Sequence, residues 1–199
     1  MNDLTNSKCE LNSYTGAANY SSGCTAYTKQ SEQIITSVFD PIPQDTVFSD
    51  VGKYSIYEIA DWFLKKADMT HKKIQKLCYY AQAWGYALKG YRLIDSDFQA
   101  WTHGPVSPAL WEKFKSFRFD TISLKNKNLV IKIDPEDESL LENVWETYGD
   151  RTGNALEALS HREMPWIEAR KGYAEGERCN IVISPENMKD YYRSIYIGS

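Results

Sequence analysis

From Ser55 onward the apolar positions recur with the period of a helix. Ile56, Ile59, Ala60, Phe63 and Leu64 follow i, i+3, i+4, i+7, i+8, the stripe of an amphipathic helix packed on one side. Ser55 with Glu58 three residues on reads as a capping box, and Tyr54 is placed to staple Ile59. A second helix is predicted to start after Thr70, with Met69 stapling Ile74, and to run to a stop at Gly90. One of its faces is Ile74, Leu77, Cys78, Ala81, Trp84, Gly85 and Leu88. A different side carries Gln75, Tyr79, Gln82 and Tyr86 at i, i+4, i+7, i+11, with Tyr80 beside them. Two readings of that second stripe stand level: a central helix packed on two sides, or a helix offering aromatic anchors to a partner.

Tyr91 to Trp101 reads as short and extended, and His103-Gly104-Pro105-Val106 as a turn. There Gly104 can take a tight conformation, and Pro105 fixes its own φ ahead of a helix capped by Ser107 with Pro108 at its first position. Ile122 to Leu124 and Leu129 to Ile133 flank the polar Lys125 to Asn128, which predicts a small β-hairpin. Asp134-Pro135 opens a helix whose first turn holds Glu136, Asp137 and Glu138 and whose apolar face runs from Leu140 to Tyr148. Further helices are expected from Thr152 to about Ser160, from Pro165 to Lys171, and from Pro185 to about Ile195. The fold class predicted is α+β, predominantly α-helical: a compact multi-helix domain with one small β-hairpin.

Residues 1–53 differ in texture. They are rich in Ser, Thr, Asn, Gln and Tyr, lack a sustained period, and hold one apolar patch at Ile34, Ile35, Val38 and Phe39 before two prolines. The expectation is a flexible N-terminal segment that a partner could order, followed by a folded domain over residues 54–199.

Composition narrows the function classes. With 199 residues and a net charge of −4, the chain has the size of one domain and no general attraction for phosphate backbones. This weighs against nucleic acid as a partner. The four cysteines make no CxxC pair, and the three histidines lack the spacing of a helix-borne metal site, so neither a metal nor a cofactor is expected. No run is apolar enough to span a membrane, and the expected location is the cytoplasm. Six Trp, fourteen Tyr and seven Phe suit either a core or an interface.

Three blocks then stand in order: the segment from Met69 to Trp84, the segment from Ala100 to Val106, and Ser160-His161 with Pro165-Trp166. Together they resemble the Panacea, or SocA-like, antitoxin domain family, which also includes phage-associated GepA-type proteins. In that family a KLQKLLYYAQ-like helix precedes an AW-x-x-GPV turn and, later, an SH segment and a PW pair. The resemblance spans roughly Tyr54 to Tyr192, with Ile74 and Cys78 standing where the family often has Leu.

The resemblance implies a protein-binding antitoxin that neutralises a cognate toxin by direct contact, or an adaptor that delivers it to a ClpXP-like protease. It brings no catalytic residues. The family-motif residues Lys73, Lys76, Leu77, Trp101, Gly104, Pro105, Val106, His161, Pro165 and Trp166 are expected to be structural, whereas Gln75, Tyr79, Tyr80, Gln82 and Tyr86 are the candidate partner contacts. A phage or mobile-element counter-defence role, an enzyme built from convergent carboxylates, and a DNA-binding regulator are the alternatives. The sequence holds no Gly-rich phosphate loop, GxSxG elbow or HExxH helix to favour the enzyme.

Overall fold

The computed structural model describes residues 51–126 and 128–196, so the predicted N-terminal segment up to residue 50 and its apolar patch lie outside the described residues. Seven helices are described: α1 (Ile56–Lys66), α2 (His71–Trp84), α3 (Pro108–Phe114), α4 (Pro135–Tyr148), α5 (Gly153–Ser160), α6 (Met164–Ala169) and α7 (Pro185–Tyr196). Short strands β1 (Met69–Thr70), β2 (Gln99–Trp101), β3 (Gly104–Val106) and β4 (Thr121–Ile122) complete the predominantly helical α+β fold.

Local chemistry sets most helix starts. The Ser55 capping box is formed in full. Thr70, Ser107 and Thr152 each accept a hydrogen bond from a backbone N–H of the following first turn. Pro108 and Pro135 occupy first-turn positions, where the missing N–H costs nothing.

The centre of the domain is α2, which continues as a π-helical turn (Gly85–Lys89) and stops at Gly90, whose φ of 70° is left-handed. Helices α1, α3, α4, α5 and α7 all pack against α2. Every residue from Ile74 to Leu88 is buried. The expected contact face on this helix is thereby corrected. Gln75, Tyr79, Tyr80, Gln82 and Tyr86 are between 0 and 3 % exposed, so none of them offers a surface to a partner. Gln75 is used inside the fold: it both accepts from the Ser107 N–H and donates to the Ser107 carbonyl. Gln82 Oε1 accepts from the Ile94 N–H at 2.6 Å. Tyr79 meets Tyr80 and Phe98 edge-on at ring separations of 5.4 and 5.7 Å.

The small hairpin exists, but at a different place from the predicted one. It is β2–β3, with Gln99 opposite Val106 and Trp101 opposite Gly104. Ile122 instead pairs antiparallel with Met69, across β1–β4, and Leu129 to Ile133 forms no strand. Pairing Ile122 with Met69 lets Ile122 be 2 % exposed, whereas Val130 in the predicted return strand is 79 % exposed.

The beginning of the described chain is tied to α4. Tyr54 bridges to Ile94 in parallel register, and its hydroxyl donates to the buried Asp137 at 2.8 Å. Lys53 pairs with Asp137 at 2.6 Å and Asp134 at 2.7 Å, and the Tyr91 hydroxyl also donates to Asp137. The lysine and the two hydroxyls outweigh burial and hold the Asp137 carboxyl below the usual range. The acidic run at the start of α4 thus does more than favour the helix dipole.

Candidate functional site

The three sequence blocks converge on the β2–β3 hairpin. Lys76 extends from α2 under the turn and donates to the carbonyls of His103 at 2.6 Å and Pro105 at 2.9 Å. A side chain this buried loses hydration, which pulls the ammonium down to about 7. Gly104 has a φ of 88°, and a Cβ there would lie 2.8 Å from both Lys76 Nζ and Ser160 Oγ. Only glycine combines that dihedral with so little room.

From the other side, Trp166 Nε1 donates to the Trp101 carbonyl at 3.1 Å, and Arg170 Nη1 donates to the Ala100 carbonyl at 2.8 Å. Arg170 is 8 % exposed and bonds two further carbonyls, of Ala174 and Glu177. Two buried cations therefore hold the hairpin main chain. His161 stacks on Trp166 with ring centroids 4.1 Å apart, and Pro165 sits buried in the first turn of α6. Lys73 reaches the Gly149 carbonyl at 2.6 Å, Leu77 is fully buried in the core, and Val106 is 7 % exposed.

What the hairpin presents outward is a tip, with the His103 side chain 74 % exposed, standing between two depressions. The larger, about 650 Å³, runs from the N-terminus of α2 past Trp101 to the N-terminus of α5, with Trp111, Arg118 and Phe119 at its edge. The second, about 560 Å³, lies toward His161, Trp166 and Tyr173. His71, inside the larger groove, accepts from Gln75 Nε2, and burial lowers its pKa to about 4. Lys72 pairs with Glu157 at 2.5 Å and also donates to Asn154, while His103 Nδ1 lies 2.9 Å from the same Glu157.

Sequence reasoning missed the Phe117-Arg118-Phe119 segment, which follows a short 3-10 turn (Lys115–Phe117) after α3. Phe119 is 92 % exposed and Arg118 adopts φ 52° and ψ −107°. A phenylalanine pair around an arginine beyond the end of a helical stripe was the available signal.

A second buried polar cluster lies about one helical turn further along α2, where Tyr80 follows Lys76 by four residues. Glu163, 5 % exposed, accepts from the Tyr192 hydroxyl at 2.8 Å and from the Tyr80 hydroxyl at 3.3 Å. Burial pushes its carboxyl up to about 7 against the pull of those hydrogen bonds. Tyr80 stacks on Tyr148 at 4.0 Å. Among the described residues no three His, Cys, Asp or Glu side chains gather as a metal-binding group, and no described helix is long and apolar enough to cross a membrane.

Residues 74–167, from the first turn of α2 into α6, match the family described as Antitoxin SocA-like, Panacea domain. Antitoxin SocA of Caulobacter vibrioides (strain NA1000 / CB15N) is 26% identical over 154 residues, which cover 68% of this chain and 80% of that protein. No solved structure matches the chain.

Proposed function

We propose that this chain, whose residues 74–167 match the SocA-like Panacea antitoxin family, is the antitoxin of a toxin–antitoxin pair and neutralises its toxin by direct contact. The observation that carries this reading is the match over residues 74–167, because that span contains the hairpin and two of its anchors, Lys76 and Trp166. A protein that works by contact needs a rigid surface, and a preorganised one loses less entropy on binding. The hairpin meets this need through Lys76, Trp166 and Arg170. The ionisable groups beneath it bond backbone carbonyls, which suits support better than proton transfer to a substrate. Delivery of the bound toxin to a ClpXP-like protease is a second outcome of the same contact.

The test is co-expression with the toxin-like protein encoded beside this chain's gene. Growth should be restored only when the two proteins reach comparable amounts, and the pair should co-purify. If delivery is the route, rescue disappears in cells lacking the protease while the complex accumulates. Rescue at strongly substoichiometric levels, with no complex even when proteolysis is blocked, would replace binding with catalysis.

A further inference from the structure

The larger groove beside the hairpin has an unusual charge for this chain. Although the protein carries a net charge of −4, Lys72, Lys76 and Arg118 with His71 and His103 line the groove, and no Asp or Glu is among the described residues lining it. The N-terminus of α2, fourteen residues long, and that of α5, eight residues long, both open onto it. Each adds the positive end of a helix dipole. Glu157 answers Lys72 and His103 from behind, and Lys76 is turned to backbone carbonyls. Arg118 is different: among the described residues no carboxylate pairs with it.

The backbone at Arg118 marks the same place. A φ of 52° with ψ −107° is a conformation natural to glycine, and a side-chain-bearing residue held there is strained. Folding alone would favour glycine. In sequence the arginine stands between Phe117 and Phe119, which are 37 and 92 % exposed, and Phe119 lines the groove together with Trp111, 37 % exposed on the adjoining helix. Arginine and large aromatics around a depression are the composition of interface hot spots.

We propose that this groove is the docking site for an acidic segment of the protein partner, which sets a carboxylate against Arg118 and an apolar side chain against Phe119 and Trp111. The inference rests on the toxin-binding reading and names the surface that performs it. Charge complementarity chooses the occupant, because a basic segment would meet like charge and two helix N-termini, and a neutral one would leave Arg118 unpaired. The hairpin wall is held by hydrogen bonds from buried side chains, so the acidic segment meets a preformed surface.

The experiment uses the full chain and the toxin-like protein encoded beside its gene. A photo-crosslinking benzoylphenylalanine placed at Phe119 should capture that protein through an Asp- or Glu-rich segment, whereas the same group at Ile195 on α7 should not. Arg118→Glu should weaken the complex roughly tenfold or more, as loss of a hot-spot arginine does. Arg118→Gly should also weaken it while leaving the melting temperature equal or higher, a split that a purely structural arginine would not give. Reversing the captured carboxylate to Lys should restore binding to Arg118→Glu. A complex that forms normally with Arg118→Glu, or capture of a basic segment, overturns the groove assignment and leaves the antitoxin reading standing. Binding of inorganic pyrophosphate that Arg118→Glu abolishes, with the protein complex undisturbed, would reassign the groove to a phosphate ligand. Absence of any complex with the unsubstituted chain overturns the antitoxin reading and the docking site with it.

Discussion

Two regions about one helical turn apart along α2 bury polar groups by opposite means. Toward the hairpin, the cations Lys76 and Arg170 bond backbone carbonyls. Toward α4 and α7, the carboxylate Glu163 lies among tyrosine hydroxyls and rings. Burying an ion without an opposite charge is costly, and in both places dipoles take the place of a counter-ion. The consequence differs. A cation bonded to carbonyls fixes the course of a main chain, so the hairpin side builds a surface. A carboxylate capped by hydroxyls fixes side chains, so the tyrosine side builds a core. Burial leaves Lys76 and Glu163 each near pH 7, so both sit close to the point where the ion can be given up.

The largest effect should come from dismantling the tyrosine side. Tyr79→Ala and Tyr80→Ala each remove a fully buried ring and should cost about 3–5 kcal/mol, comparable to or above Leu77→Ala at about 2–5 kcal/mol. Urea unfolding of the three variants measures this. If the tyrosine variants keep parental stability and lose only partner binding, the burial-based view of α2 fails and the contact-face reading returns.

Replacing Glu163 with Gln sharpens the contrast through pH. The folded carboxyl titrates near 7 rather than at an ordinary 4.5, so the folded state holds an extra proton between those values. The stability this contributes is full below pH 4.5 and lost as pH rises through 7, about 3 kcal/mol across the window at most. His71 works in the other direction: with its folded value near 4, it contributes stability that is present above pH 6.5 and lost as pH falls through 4. In the parent the two slopes oppose each other from pH 4.5 to 6.5. Glu163→Gln removes one of them, so its stability relative to the parent should decline steadily from pH 7.5 to 4.5. A difference that stays flat across that range would show that Glu163 is solvated in the folded protein.

How much of this was legible in sequence follows from the range of the interactions involved. Helix starts at Ser55, Thr70, Ser107 and Thr152 are decided within a few residues, and the sequence carries them openly. The occupation of both sides of α2 is not local. Gln75 and Gln82 look like solvent-facing positions until Ser107 and Ile94 arrive from more than ten residues away to use their amides. The hairpin was displaced for the same reason: Ile122 finds Met69 across more than fifty residues, which no turn signal at Lys125 to Asn128 announces. The family blocks pointed to Lys76, Gly104 and Trp166 as residues that matter, but their meeting around one turn is a property of the packed domain. Arg118 belongs to none of those blocks, and its special feature is a backbone dihedral.

A smaller change in stability should have the most specific effect on binding. Gly104→Ala places a Cβ at φ 88°, 2.8 Å from Lys76 Nζ and Ser160 Oγ. Gly172 provides the reference, since its φ is 91° and nothing lies within 4 Å of an added Cβ. Gly172→Ala should therefore report the dihedral cost alone, about 1–2 kcal/mol. Gly104→Ala should exceed it by the cost of moving two buried side chains, for a total of roughly 2–3 kcal/mol, still below the loss of a buried tyrosine ring. The binding readout separates the two glycines further. Lys76 can make room only by loosening its bonds to the His103 and Pro105 carbonyls, which lets the hairpin tip shift beside the larger groove. Partner affinity, corrected for the folded fraction, should fall for Gly104→Ala and remain unchanged for Gly172→Ala. Equal affinity in both variants would mean that the hairpin is a brace for the fold and not the wall of a binding surface.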